Sequence, residues 1–218
     1  MITVFQALER VINEQPLYGE AILSDIVNVS ALARRLKPDV EEVLLEPISD
    51  GAMTIALKRY ASVLRKTRKP LEHSYPIRNF SLRSDLTVLV YQNSPGLEVV
   101  HRHLLLSSQN SEDAFLHFAQ GSQESSFVLS DELVPEVKKL TRGEKLISEF
   151  PRLSAVSVRM APEVMQLPGV FAPFVQALAW QKISICQMMS HFTEVTFVVA
   201  DDDAERAFAG MKTLAKKK

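Results

Sequence analysis

Leu153-Ser-Ala-Val-Ser-Val-Arg-Met160, Leu167-Pro-Gly-Val-Phe171, a run to Trp180, Ile183-Ser-Ile185, Glu194-Val-Thr-Phe-Val-Val-Ala-Asp201 and Asp202-Asp-Ala-Glu-Arg-Ala-Phe208 follow one another in the stretch that decides the fold. Val156, Val158 and Met160 alternate with Ala155, Ser157 and Arg159, and Val195, Phe197 and Val199 alternate with Glu194, Thr196 and Val198. That period of two predicts strands with one core face. Ile183 and Ile185 start a third strand. Between the first two, Val170, Phe174, Ala177, Leu178 and Gln181 recur at helical spacing, with Pro173 early enough to sit in the first turn. Asp201, Asp202 and Asp203 supply a cap and first-turn negative charge for a last helix whose stripe is Ala204, Ala207, Phe208, Met211 and Leu214.

The order strand, helix, strand, strand, helix, the Leu167-Pro-Gly-Val turn and the Glu194-Val-Thr-Phe-Val-Val-x-Asp201 string resemble an ACT domain of the aspartokinase regulatory type. Working outward, Ser94-Pro95-Gly96-Leu97 matches Leu167-Pro168-Gly169-Val170, and Glu124-Ser-Ser-Phe-Val-Leu-Ser-Asp131 matches Glu194 to Asp201, each displaced by about seventy positions. The middle stretch then reads as strand 86–91, helix 96–106, strand 114–119, strand 125–129, helix 131–140 and strand 145–150. Almost no chain follows Leu214. The last unit therefore either has a three-stranded sheet or borrows a strand such as Lys145 to Phe150, as some tandem domains of this family do.

The first seventy residues are helical. Val4, Leu8, Val11 and Ile12 form one stripe that ends near Pro16. A second helix covers about Gly19 to Ile26 and a third starts at Ser30, with Pro38 breaking or restarting it. The fourth runs from Ser49 with Met53, Ala56, Leu57, Tyr60 and Leu64 inward. The pattern resembles a helix-turn-helix or winged-helix core. On that reading Arg34, Arg35, Lys58, Arg59, Arg65 and Lys66 would meet DNA phosphates or base edges. Glu41, Glu42, Glu46 and Asp50 oppose it, and a helical module for a protein partner or for dimerisation is the other reading. A polar stretch from Arg65 to Tyr75 marks a boundary. The expected class is α+β: a helix-turn-helix-like module over 1–72, a degenerate ACT-like unit over 76–151 and an ACT domain over 152–218, the latter two tandem ferredoxin-like βαββαβ units.

Twenty-five basic and 26 acidic residues leave a net charge of −1, which does not mark a bulk nucleic-acid or membrane binder. A single cysteine, Cys186, permits no internal disulfide and fits a reducing compartment; its strand setting predicts a buried hydrophobe. No signal segment or apolar run of bilayer length is read, so a cytoplasmic protein is expected. Seven glycines include neither a Walker loop nor Gly-x-Gly-x-x-Gly. His101 and His103 lie on different helix faces. No nucleophile stands beside a base, so no catalytic residue, metal or cofactor is expected and an enzyme is the least supported class.

The resemblance implies a small amino acid bound where a first strand turns into its helix, at an interface within a homodimer. It places Pro168, Gly169, Val170 and Phe171 with Ile185 and Gln187 at one site, and Pro95, Gly96 and Leu97 with Gln120 to Ser122 at the other. The chain departs from the family at Ser184, where asparagine is common. The alternatives are an ACT dimerisation scaffold without ligand and an amino-acid-gated DNA-binding regulator.

Overall fold

Thr3 opens the first helix, α1 (Val4–Glu14), with a capping box in which its hydroxyl accepts from Gln6 N–H and the Gln6 side chain reaches back. Helix α2 (Pro16–Leu23) starts on a proline, whose missing N–H costs nothing at that position. Asn28 caps α3 (Val29–Leu44) and Ser49 caps α4 (Asp50–Thr67). Two expectations shift here. The second helix begins at Pro16, and the third is capped by Asn28 rather than Ser30 and continues through Pro38. An interior proline costs a helix about 3 kcal/mol. Leu36 and Val40, both fully buried on either side of it, hold the segment against α4, and burying side chains of that size offsets such a cost. Helix α4 touches the other three, and its Met53, Leu57, Tyr60 and Leu64 close a core with Leu8, Ile12, Leu36 and Val40.

The computed structural model describes residues 2–70, 76–108 and 114–215, and the chain divides into two compact units, Met1–Glu72 and His73–Lys218. The second unit contains β1 (Ile77–Gln92), α5 (Pro95–Ser108), β2 (Leu116–Gln120), β3 (Glu124–Ser130), α6 (Val134–Leu140), β4 (Leu146–Met160), α7 (Ala172–Trp180), β5 (Gln187–Ser190), β6 (Glu194–Ala200) and α8 (Ala204–Lys212). Its six strands form one antiparallel sheet in the order β2-β3-β1-β4-β6-β5.

Both central strands are long and kinked. Asp85 in β1 and Arg152 in β4 have φ of 59° and 57°, in the left-handed region, and the β1–β4 register shifts between Arg83 and Leu86. On one side of the kinks, Val88 to Tyr91 pair with Leu146 to Phe150; on the other, Ile77 to Arg83 pair with Ala155 to Met160. The strand beside Ala155–Met160 is thus Ile77–Arg83, not Lys145–Phe150. The N-terminal half of β1 closes the C-terminal half of the sheet.

Period-two alternation sorts side chains onto two faces. Leu89, Tyr91, Phe127 and Leu129 face α5 and α6 with Leu97, Leu104 and Val137, while Val156, Val158, Phe197 and Val199 face α7 and α8 with Phe174, Leu178 and Met211. On the opposite face Leu86, Val88, Val128, Leu153, Ala155, Met189 and Val198 make a core of their own. The sheet curls around it. Its two terminal strands approach, so that the rings of His117 in β2 and His191 after β5 lie 5.9 Å apart and Gln187 Nε2 of β5 donates to Ser126 Oγ of β3 at 3.0 Å. Ile183 is buried ahead of the strand, β5 itself starts only at Gln187, and Cys186 is exposed rather than buried.

Candidate functional site

Asn93 ties the turn from β1 into α5 to the hairpin that follows. Asn93 Nδ2 donates to the Gly121 carbonyl at 2.8 Å, its Oδ1 accepts from Ser125 Oγ at 2.6 Å, and its backbone N–H donates to the Gln123 carbonyl at 2.9 Å. Three points of the β2–β3 hairpin are thereby tied to the residue two places before Pro95. Polar clefts flank this knot: one lined by Val90, Ala119 and Gly121 to Ser126, the other by Gln92, Asn93, Ser122 to Glu124 and Ile147. Their walls offer hydroxyls, amides and one carboxylate, groups suited to a small polar molecule rather than an apolar one.

Pro95 and Gly96 begin α5, and Leu97 is buried in the core beneath it. Ser94 Oγ donates to Glu144 Oε2 at 2.5 Å, and a Cβ on Gly96 would collide with Glu144 Oε1. Gln120 to Ser122 lie across the knot from Asn93, at the end of β2 and in the hairpin turn.

The C-terminal turn is built differently. Gly169 has φ of +75°, a conformation that glycine adopts without steric cost, and its carbonyl accepts from Ala172 N–H as α7 begins. Val170, Phe171 and Ile185 pack on a single hydrophobic core. Gln187 does not join Pro168–Phe171: its amide reaches Ser126, a wall of the hairpin cleft in the other half of the sheet. Ser184 is exposed. Asp201 to Asp203 form a 3-10 turn, and the Asp201 carboxylate accepts from Ser154 Oγ instead of capping its own helix.

Among the cations of the helical unit, Lys58 and Lys66 project from the exposed side of α4. Arg59 lies over the Phe5 ring, 5.3 Å from its centroid, and Arg65 is engaged by Asp25 and by the Ile22 carbonyl. On α3, Arg35 pairs with Asp39, while Arg34 is exposed and contributes to lowering the Asp50 pKa. Asp50 bonds Lys37 at 2.6 Å; that contact is the first cause holding its carboxyl below the usual range and the ammonium above its own.

Asn93, Ser126, Glu144 and the His117–His191 pair escape sequence reading, since none forms a motif and each acts through residues 32 to 74 positions away. Burial pushes the His117 imidazole below its usual pKa, and His191 and His101 push it in the same direction.

Neither a family model nor a curated protein matches the chain. Solved structures do. The ligand-free regulatory subunit of aspartate kinase from Thermus thermophilus superposes with a TM-score of 0.52 at 17% identity, over 63% of this chain and 97% of that one. Over the matched part of the chain the fold is that of an aspartate kinase regulatory subunit. Aspartokinase alpha and beta subunits superpose with a TM-score of 0.51 at 14% identity, over 63% of this chain and 97% of that one. Aspartate kinase from Clostridium acetobutylicum gives 0.52 at 16% identity, over 68% of this chain but only 36% of that chain. At such identities the likeness is one of fold alone, and the Thermus thermophilus regulatory subunit is matched over nearly its whole length.

Proposed function

We propose that this chain is an amino-acid-sensing regulatory protein, non-enzymatic and homodimeric, whose sheet unit consists of two ACT units, the first of which lends a strand to the second. The units divide at the Asp85 and Arg152 kinks: 76–151 carries one and 152–218 the other, with Ile77–Arg83 completing the second. Repeated bonds support the tandem reading. Thr87 donates to Asp131 and Ser154 to Asp201, each at 2.6 Å, and both hairpins close alike, Gly121 N–H on Glu124 O and His191 N–H on Glu194 O, each at 2.8 Å.

The observation that carries the sensing function is the knot at Asn93, which joins a strand-to-helix turn to a hairpin beside polar clefts. Pro95, Gly96 and Leu97 with Gln120 to Ser122 form the primary site. Pro168 to Phe171 with Ile185 form the second, more apolar one. Gln187 moves to the first site through Ser126. The test is a thermal-shift screen of the full chain against the twenty amino acids. A ligand at about a hundred times its Kd stabilises by about 2.7 kcal/mol. A selective rise for one or two amino acids is expected, and no rise at any would leave an ACT scaffold that only dimerises.

One feature favours a second role for the helical unit. Between Gly51 and Pro70 there are six basic residues and no acidic one, and α4 exposes Lys58 and Lys66 from that run. A DNA-binding role would then use these two with Arg34, while Arg35, Arg59 and Arg65 are each engaged within the unit, by Asp39, Phe5 and Asp25. Anisotropy of a labelled duplex separates this reading from a protein-binding module: salt-dependent binding that is lost in Lys58→Glu/Lys66→Glu supports it.

A further inference from the structure

Where α1, α2 and α4 meet, the helical unit opens a cleft of about 350 Å³, the size of a small-molecule site. Its floor is aliphatic. Ile12 and Leu64 are 2% and 6% exposed, and Leu23 packs on the same core. Gly19 of α2 keeps the space open: a Cβ there would meet only Ile12 Cγ2, at an ordinary 3.7 Å, so a larger side chain would grow into the cleft.

Polar groups stand over this floor without partners. Tyr60, 4% exposed, lines the cleft, and among the described residues nothing hydrogen-bonds its hydroxyl. Every fully buried side-chain N or O among those residues does have a partner, so the Tyr60 hydroxyl is reached from the cleft as an unmet donor. Burial first, and the Glu9 carboxylate next, push its pKa above the usual 10.0 against the pull of Arg68, and it stays protonated at neutral pH. Arg68 and Lys69 line the same cleft, and no described carboxylate pairs with either. Glu20 brings one negative charge, which leaves the lining net positive.

We propose that this cleft binds a small aliphatic carboxylate, its hydrocarbon body on Ile12, Leu23 and Leu64, its carboxylate held by Arg68 and Lys69 and hydrogen-bonded by the Tyr60 hydroxyl. A purely apolar molecule would leave that hydroxyl unmet, and an inorganic anion would leave the aliphatic floor in water. A carboxylate on a short branched chain satisfies both. The site is made wholly by residues of the helical unit and does not rest on the sensing function proposed above.

The test is calorimetric titration of the full chain with isocaproate, with its amide and with acetate, the isocaproate arm being repeated on Tyr60→Phe, Arg68→Gln/Lys69→Gln and Gly19→Leu. Wild type should bind one isocaproate per chain, and the amide and acetate at least about tenfold more weakly. Loss of a hydrogen bond to a charged group should weaken isocaproate about tenfold or more in Tyr60→Phe, and the double charge variant should do the same. Gly19→Leu fills the cleft and replaces glycine with a better helix former, so binding should vanish while the thermal midpoint holds or rises. No saturable heat with isocaproate, equal affinity for acid and amide, or unchanged affinity in Gly19→Leu overturns the assignment. If Gly19→Leu does not fold, Tyr60→Phe locates the site instead, since it removes only an unpartnered hydroxyl and should keep the wild-type midpoint; unchanged affinity there overturns the assignment equally.

Discussion

Ser154, fully buried in β4, donates its hydroxyl to the Asp201 carboxylate at 2.6 Å and so fixes the entry to the last helix onto the centre of the sheet. Thr87 of β1, 3% exposed, does the same for Asp131 at the entry to α6. A hydrogen bond to a charged group contributes about 1.5–3 kcal/mol. Ser154→Ala and Thr87→Val should each destabilise the sheet unit by an amount in that range, read as a lower urea midpoint at constant m. A loss below about 0.5 kcal/mol in both would show that these bonds do not anchor the helices.

Arg152 sits at φ of 57° in the middle of β4. A left-handed L-residue costs about 1–2 kcal/mol, and glycine there would recover this less about 0.5–1 kcal/mol of extra unfolded-state entropy. Arg152→Gly should therefore leave stability equal or raise it by up to about 1.5 kcal/mol, and Arg152→Val should lower it. Asp85→Gly should gain less, because aspartate tolerates this region better. Denaturant titration of the three variants ranks them.

His117 faces His191 across the closing ends of the sheet and packs near His101. Burial lowers its folded pKa below the usual 6.5, so between the two values the unfolded chain binds the extra proton. Its contribution to stability is present above pH 6.5 and is lost as pH falls through the lowered folded value. His117→Gln should thus lose less stability than wild type between pH 7.5 and pH 5, measured as the difference in urea midpoint. Equal losses would remove His117 from the account.

Asn93→Ala cuts both side-chain ties to the hairpin and leaves the backbone bond to Gln123. Amide exchange at Gly121 to Ser125 should accelerate while the exchange of β4 and β6 stays unchanged. Protection unchanged at the hairpin would mean that the knot does not order the cleft.

Much of the fold is visible in the chain because it follows local rules. Ser49 caps α4 as its position suggests, the alternation of Val195, Phe197 and Val199 gives β6, and Pro173 falls within the first turn of α7. Ile77 to Asp85 give no such signal: nearly all are exposed on one kinked strand, so the period of two never shows and the strand that completes the C-terminal half goes unread. Pro38 misleads for the opposite reason, since tertiary burial of Leu36 and Val40 overrides a local breaker. At the candidate site the glycine turns are legible, Gly169 for its positive φ and Gly96 for the close approach it permits. Their polar partners are not. Asn93, Ser126 and Glu144 acquire their roles only when the sheet curls and the α6–β4 connection returns to α5.

The most direct test of the central claim is an amide-resolved titration of the isotope-labelled full chain with amino acids, one at a time, at millimolar concentration. A sensor that binds at the Asn93 knot should show saturable shifts for one or two amino acids, centred on residues 93–97 and 121–126 and extending to Glu144. Shifts confined to the helical unit, or none for any amino acid, would contradict it.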